Sequence, residues 1–327
     1  MLQVQPSPDR AIQPPRRIGV LTNRAASRNA RGVEPIQAVT LNDPRFIHEI
    51  VEDAASIPAA LERLAQARVA LLVINGGDGT VQTVLTDLVL GRPFDRVPPI
   101  AILSGGKTNM IAADLGSRRD RAAMLRRLAA LNDKGLLEAH LVPRRLIDLR
   151  WGEDRRLGLF FGSAGIVRGM LWCRRTFYRR RLPSSLANAL AILVLILASL
   201  RAPARSPLRS DRMALIIPGE RAEAGRFALV LATGLERLLF GLSPFGPAAA
   251  AGFRLSAVRQ SPRALASATL ALICGRFDSL PASAACVTSA HRMVIKGREP
   301  ITLDGEVYLP TGDVVLSCGP TLRFVAL

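Results

Sequence analysis

Short apolar runs alternate with amphipathic stretches over the first 140 residues or so of this 327-residue chain. Ile18–Leu21, Val69–Ile74 and Ile100–Leu103 read as buried parallel strands, continuous in apolar residues with no polar face. Ile57–Arg68 and Arg121–Leu131 carry apolar positions at helical spacing between them, and Val81, Val84, Leu85, Leu88 and Val89 repeat that spacing after the second strand. The alternation predicts a doubly wound α/β domain, in which ligands bind at the carboxyl ends of the strands.

After Arg144 the pattern changes to strand-like pieces with Gly and Pro turns: Arg145–Trp151, Leu157–Gly162, Met213–Ile217, Phe227–Thr233, Phe253–Val258, Arg292–Ile295, Val307–Leu309 and Asp313–Cys318. A β-rich second domain is expected there. Residues 1–16, rich in Gln and Pro and without a signal peptide's apolar core, read as a disordered tail. The expected organisation is a tail over 1–16, an α/β domain over 17–143, a β-rich domain over 144–310 and a last segment, 311–327, returning to the first domain.

The apolar stretch Leu186–Leu200, flanked by Arg179, Arg180, Arg181, Arg201 and Arg205, interrupts the second half. It is shorter than the roughly 20 residues of a spanning helix. A buried core helix and an interfacial, lipid-contacting helix both fit it.

The most informative loop is Gly76-Gly77-Asp78-Gly79-Thr80, between the Val69–Ile74 strand and a helix expected to open at Thr80. Successive glycines let backbone approach a bulky anion, and the helix N-terminus adds its positive dipole end, which is the chemistry of a nucleotide phosphate site. A plain tight turn, with Asp78 capping the helix, stays open as the alternative. The string Gly106-Lys107-Thr108 imitates the end of a P-loop, but Ala101 stands where that motif needs glycine. Lys107 can still serve as a point charge on a phosphate.

With 44 basic residues, 41 of them arginine, and a net charge of +18, the chain should be drawn to phosphate-bearing partners. Aromatic residues make up only 5%, and no stacking or reading motif for nucleic acid is present, so an anionic membrane surface is the expected partner and nucleic acid is not. Cys173, Cys274, Cys286 and Cys318 are scattered, which suits reduced thiols in a cytoplasmic protein. His48, His140 and His291 stand apart from any metal-ligand cluster.

Four blocks, in order, resemble the diacylglycerol kinase catalytic family, which includes sphingosine and ceramide kinases and bacterial lipid kinases. They are Arg17–Ser27, with Asn23 and Ser27 kept but Arg24 in place of Pro and Arg28 in place of Gly; the Gly76–Thr80 loop; Gly105–Gly116, with Lys107 where relatives carry Thr; and Leu303-Asp304-Gly305-Glu306. The resemblance spans about residues 17–327 and implies an ATP-dependent lipid kinase acting on diacylglycerol or a related lipid. It implies that Gly76, Gly77 and Gly79 cradle the ATP phosphates, that Asp78 orients the phosphate and binds Mg²⁺, and that Asn23, Thr80 and Asn109 hold the nucleotide. Gly105, Gly106, Lys107 and Thr108 join the nucleotide set by the same resemblance. Glu306 becomes the general base and Asp304 its orienting partner, with a simple β-turn over Leu303–Glu306 as the alternative.

The implied location is cytoplasmic, peripherally attached to the inner membrane, with a homodimer allowed. Two other functions stay open. One is a non-catalytic lipid- or nucleotide-binding relative, suggested by the altered 23–28 loop, by Lys107 and by the apolar, arginine-bearing stretch over Thr233–Phe245. The other is NAD kinase, which shares the Gly-Gly-Asp-Gly-Thr loop but carries an Asn-Glu pair, where this chain has Asn109-Met110.

Overall fold

The computed structural model describes residues 16–106, 108–117, 120–177, 209–220, 222–238, 243–246 and 252–327. Lys107, the tail before Arg16 and Leu186–Leu200 lie outside the described residues, as does most of the stretch between Leu238 and Gly252.

Three strands of the first half form where the apolar runs predict them, and a fourth, Phe46–Val51, was not foreseen. Strands β1 (Ile18–Asn23), β2 (Phe46–Val51), β3 (Leu71–Gly76) and β4 (Ile100–Ser104) form a parallel array in the order β2-β1-β3-β4. All residues of β3 and β4 are buried, because helices cover both faces of the sheet. On one face α2 (Ile57–Gln66) and α3 (Asp78–Leu90) pack through Leu61, Leu64, Val84 and Leu88. On the other, α1 (Glu34–Thr40) and α5 (Arg121–Asp133) pack through Ile36, Val39, Leu125 and Leu128. Between β4 and α5 lies the short helix α4 (Met110–Asp114).

The second half builds a two-sheet sandwich onto this array. Strands β5 (Leu141–Trp151) and β6 (Asp154–Gly158) form an antiparallel hairpin, and β7 (Phe160–Ser163) leads into α6 (Gly165–Phe177). Then follow β8 (Met213–Ile216), β9 (Glu223–Gly225), β10 (Phe227–Thr233) and β11 (Phe253–Arg259). Helix α7 (Pro262–Ile273) comes next, then β12 (Ala285–Ala290), β13 (Arg292–Lys296), β14 (Ile301–Leu303), β15 (Glu306–Tyr308) and β16 (Val314–Val325).

The long strand β16 joins the two halves. It runs antiparallel to β5 from Val314 to Val325 and meets the parallel array at Phe324 opposite Ile100 of β4. A ten-stranded sheet results, with β13, β8 and β9 beyond β16. A second sheet, β12-β11-β10-β7-β14-β15, covers it, and Ile147, Trp151, Met293 and Leu316 of the first meet Phe161, Val230, Phe253 and Leu303 of the second in one buried core. The doubly wound domain and a β-rich second half are therefore present as the residue pattern predicts, and the sandwich form of that half is the one the family resemblance implies. The change of pattern at Arg144 falls inside β5, whose first residues pair with the end of β16.

Among the described residues, no helix is long and apolar enough to cross a membrane.

Candidate active site

The Gly76–Thr80 loop closes β3 and opens α3 two residues earlier than expected, at Asp78. Gly77 occupies the N-cap in extended conformation (φ −90°, ψ 177°) and no side chain caps the helix. The first-turn N–H groups are therefore left for solvent or a ligand.

The glycines of this loop and of Gly105-Gly106 serve a close approach of two backbones. A Cβ on Gly105 would lie 2.8 Å from the Cα of Gly76, and one on Gly106 would lie 2.6 Å from the Cα of Gly77. Gly105 N–H also donates to Gly76 C=O at 2.9 Å, so the ends of β3 and β4 are zipped together. Gly79 faces the other way. A Cβ there would fall on the carboxylate of Glu306, which reaches across from β15.

Asp78, expected at the phosphate and its magnesium ion, is turned inward. Its two oxygens accept the backbone N–H groups of Met110 (3.1 Å) and Ile111 (3.2 Å), so the carboxylate caps α4 rather than its own helix. Burial pushes its pKa up, and those N–H groups partly offset the rise. A carboxylate so engaged does not fit a role as a direct magnesium ligand. Among the described residues, no group of three or more His, Cys, Asp or Glu is placed to hold a metal ion.

Asn109, expected to hold the nucleotide, staples its own loop instead. It sits in the left-handed region (φ 52°), its Oδ1 accepts Gly106 N–H and its Nδ2 donates to Gly106 C=O, both at 2.7 Å. Asn23 and Thr80 do meet, with Asn23 Nδ2 donating to Thr80 Oγ1 at 3.0 Å, and both border the cleft. Thr108 is exposed on the loop.

Beneath the β1–α1 loop a buried polar network holds Asn23 in place. Asn29 Nδ2 donates to Asn23 C=O (2.7 Å) and to Asn75 C=O (2.9 Å), and Arg121 bridges the side-chain oxygens of Asn29 and Asn75. Asn75 Nδ2 donates to Thr22 Oγ1 at 3.2 Å, and the His48 ring joins Thr22 (2.8 Å) to Thr40 (2.9 Å). Burial lowers the pKa of His48, which suits a neutral ring between two hydroxyls.

From the second half, the β14–β15 turn presents the Asp304–Glu306 pair. Asp304 is 1% exposed, and its carboxylate accepts the N–H groups of Leu159 (3.0 Å) and Phe160 (2.8 Å), while its own N–H donates to Phe160 C=O at 2.8 Å. Burial pushes its pKa up to about 8; the two N–H groups oppose the rise and the Asp78 carboxylate adds to it. Asp304 thus fixes the turn to β7, and the turn aims Glu306, which is exposed, at the start of α3. Asp304 and Glu306 act together through backbone, not through a side-chain contact.

A cleft of ≈ 750 Å³ lies between these parts. One wall is Ala25, Ala26, Ile57 and Pro58, the floor is α3 with Gly79 and Thr83, and the far wall is Arg156, Glu306 and Tyr308. Gly77 and Gly106 also reach it, whereas Gly76, Asp78, Gly105 and Asn109 stand behind. Arg156, Gln82 and Tyr308 were not foreseen as site residues. Tyr308 was legible, since it stands two residues beyond Glu306 on one strand and so shares its face; nothing local marks Arg156.

The two halves are also tied behind the cleft. Asp114, at the end of α4, accepts Arg144 Nε at 2.9 Å and the N–H groups of Glu236 (3.1 Å) and Arg237 (2.8 Å). Helix α4 is thus gripped at its start by Asp78 and at its end by the second half.

Residues 17–136 match the model of the diacylglycerol kinase catalytic domain. No curated protein matches the chain. Among solved structures, the fold is similar to that of a protein of Bacillus anthracis str. Sterne provisionally assigned as a diacylglycerol kinase, at TM-score 0.66 and 16% identity over 95% of this chain and 97% of that one. A diacylglycerol kinase of the same organism gives TM-score 0.61 and 15% identity over the same shares. At such identities the likeness shows the fold alone, and the family model matches only residues 17–136. Residues 17–136 thus match the diacylglycerol kinase catalytic domain, and the rest of the chain is similar to these structures in fold alone.

Proposed function

We propose that the protein is an ATP-dependent lipid kinase, transferring the γ-phosphate to a hydroxyl of diacylglycerol or a related lipid. The observation that carries this reading is the contact of Glu306 with Gly79. It sets a free carboxylate from one half of the molecule against an uncapped helix N-terminus from the other. Phosphoryl transfer asks for anion-stabilising donors and a base beside the incoming hydroxyl, and these are the two groups supplied.

ATP enters as its magnesium complex, and the chain's own part is to receive it. The first-turn N–H groups of α3 face the terminal phosphates, with Gly77 and Gly106 leaving room for them and Asn23 and Thr80 bordering them. The wall of Ala25, Ala26, Ile57 and Pro58 suits the flat, apolar faces of a nucleobase. Glu306 accepts the proton of the acceptor hydroxyl as that oxygen attacks the γ-phosphorus, and ADP leaves on the opposite side. Asp78, Asn109 and Asp304 are positioning residues, holding the two loops and the turn that carry the contacts. In this reading residues 17–143 are the nucleotide domain, residues 144–310 hold the acceptor, and 311–327 bind the two.

The charge of +18 supports peripheral attachment to an anionic membrane, on the cytoplasmic side where ATP is present. The deciding experiment is incubation of the purified protein with labelled ATP, Mg²⁺ and a total bacterial lipid extract. A labelled phospholipid is expected; ATP binding with no labelled lipid overturns the reading.

A further inference from the structure

Glu306 and Tyr308 are alternate residues of β15, so their side chains share one face about 7 Å apart along the strand. Around Tyr308 the cleft becomes polar. The Tyr308 hydroxyl donates to Gln82 Oε1 at 3.4 Å, and Gln82 is only 3% exposed, yet its Nε2 has no partner among the described residues. Asp87, further along α3, leaves a second buried atom, Oδ2, unpartnered among the described residues. Both side chains border the cleft, and so does Arg156 from β6. An unsatisfied buried donor or acceptor costs about 1–3 kcal/mol, and folded proteins keep few of them. Here two side chains that line the same cavity, beside the base of the proposed reaction, carry a buried donor and a buried acceptor without partners among the described residues.

The chemistry of that set selects its ligand. An ester carbonyl accepts from Gln82 but has nothing to donate to Asp87. A phosphate is opposed by the Asp87 carboxylate, and an amine by the Arg156 guanidinium. A hydroxyl both donates and accepts, so a ring or chain bearing several hydroxyls satisfies all of the groups. We infer that the end of the cleft formed by Gln82, Asp87, Arg156 and Tyr308 is a head-group subsite, and that the acceptor is a lipid with a sugar or other polyol head, one hydroxyl of which lies at Glu306. This rests on the kinase reading above and narrows its acceptor.

The test compares dioleoylglycerol with monoglucosyl-dioleoylglycerol, each in the same mixed micelles, as acceptors for the full-length protein. The expected kcat/KM for the glucolipid exceeds that for dioleoylglycerol by about tenfold or more, as one or two added hydrogen bonds allow. Gln82→Met, which keeps volume, and Asp87→Asn should each lower the glucolipid value about tenfold, mainly through KM. Phosphorylation of dioleoylglycerol should fall by a clearly smaller factor than that of the glucolipid in both, since that acceptor has no head group to lose from the subsite. Equal kcat/KM for the two lipids in the parent, or a parallel fall for both in the variants, overturns the subsite and leaves the kinase reading standing. If neither lipid is phosphorylated, the kinase reading falls, and binding of octyl β-glucoside below its micellar concentration, read by NMR, judges the subsite alone. Binding weakened by Gln82→Met then supports it; no binding, or binding indifferent to Gln82, overturns it.

Discussion

Asp78→Asn separates two roles for the loop carboxylate. Asp78 gives both oxygens to backbone donors, Met110 N–H at 3.1 Å and Ile111 N–H at 3.2 Å. Asparagine keeps one acceptor and turns an amide NH₂ towards the other N–H, so one hydrogen bond to a charged group is lost and a donor faces a donor. Such a bond is worth about 1.5–3 kcal/mol, and relief from burying the charge returns part of it. The net loss should be about 1–3 kcal/mol, a sizeable share of a typical 5–15 kcal/mol stability. With a urea slope near 3 kcal/mol/M for a chain of this size, the midpoint should fall by about 0.3–1 M. Lipid phosphorylation should fall with it, because the same contact holds α4 and the Gly105-Gly106 loop against Gly76-Gly77. An unchanged urea midpoint with transfer abolished would refute this reasoning and return Asp78 to the phosphate and its metal.

Gly79→Ala should leave the fold stable, since alanine favours a helix by about 1 kcal/mol, while its Cβ displaces Glu306. Turnover should drop at least about 100-fold, and parent-like turnover would show that Glu306 need not stand there. Asp304 has a carboxyl raised from 3.8 to about 8, so the folded state holds its proton more tightly than the unfolded chain. Its contribution to stability is therefore present below pH 4 and lost as pH rises towards 8. A carboxyl ¹³C NMR titration should show one group titrating near pH 8 that is absent from Asp304→Asn; every carboxyl titrating near 4 contradicts this. Binding to liposomes should rise with anionic lipid content and fall with salt, at about 1 kcal/mol per cation in contact. Equal binding to neutral vesicles in high salt would replace the electrostatic account by apolar insertion.

Much of the architecture was legible because burial writes itself into composition. Strands β3 and β4 are covered on both faces, so every position but Asn75 is apolar or small, and their extents came within two residues of those observed. Strand β12 was missed because Ala285–Ala290 is short, small-residued and half-buried. Helix α7 was missed among strands although Ser261 and Pro262 announce it, Ser261 accepting Ala264 N–H as N-cap.

The site was legible as a set of loops but not in the direction of its side chains. Asp78 finds its partners 32 and 33 positions away, and Asp304 finds Leu159 at 145. A carboxylate in a glycine loop looks the same in sequence whether it faces a ligand or a backbone N–H. Only the approach of β4's loop to β3's loop decides. Glu306 was identified by resemblance, and its meeting with Gly79 depends on a hairpin more than 200 residues downstream of that glycine.

The central claim is that Glu306 accepts the acceptor's proton, and Glu306→Gln tests it most directly. The variant keeps the shape of the side chain and removes its basicity, so kcat for lipid phosphorylation should fall about 100- to 10,000-fold. The Michaelis constant for ATP should change little, because the nucleotide rests on the other half of the molecule. The loss should shrink as pH rises and solvent base substitutes for the missing carboxylate. Turnover equal to the parent's, with the same pH profile, would contradict the account and leave Glu306 as the edge of a turn.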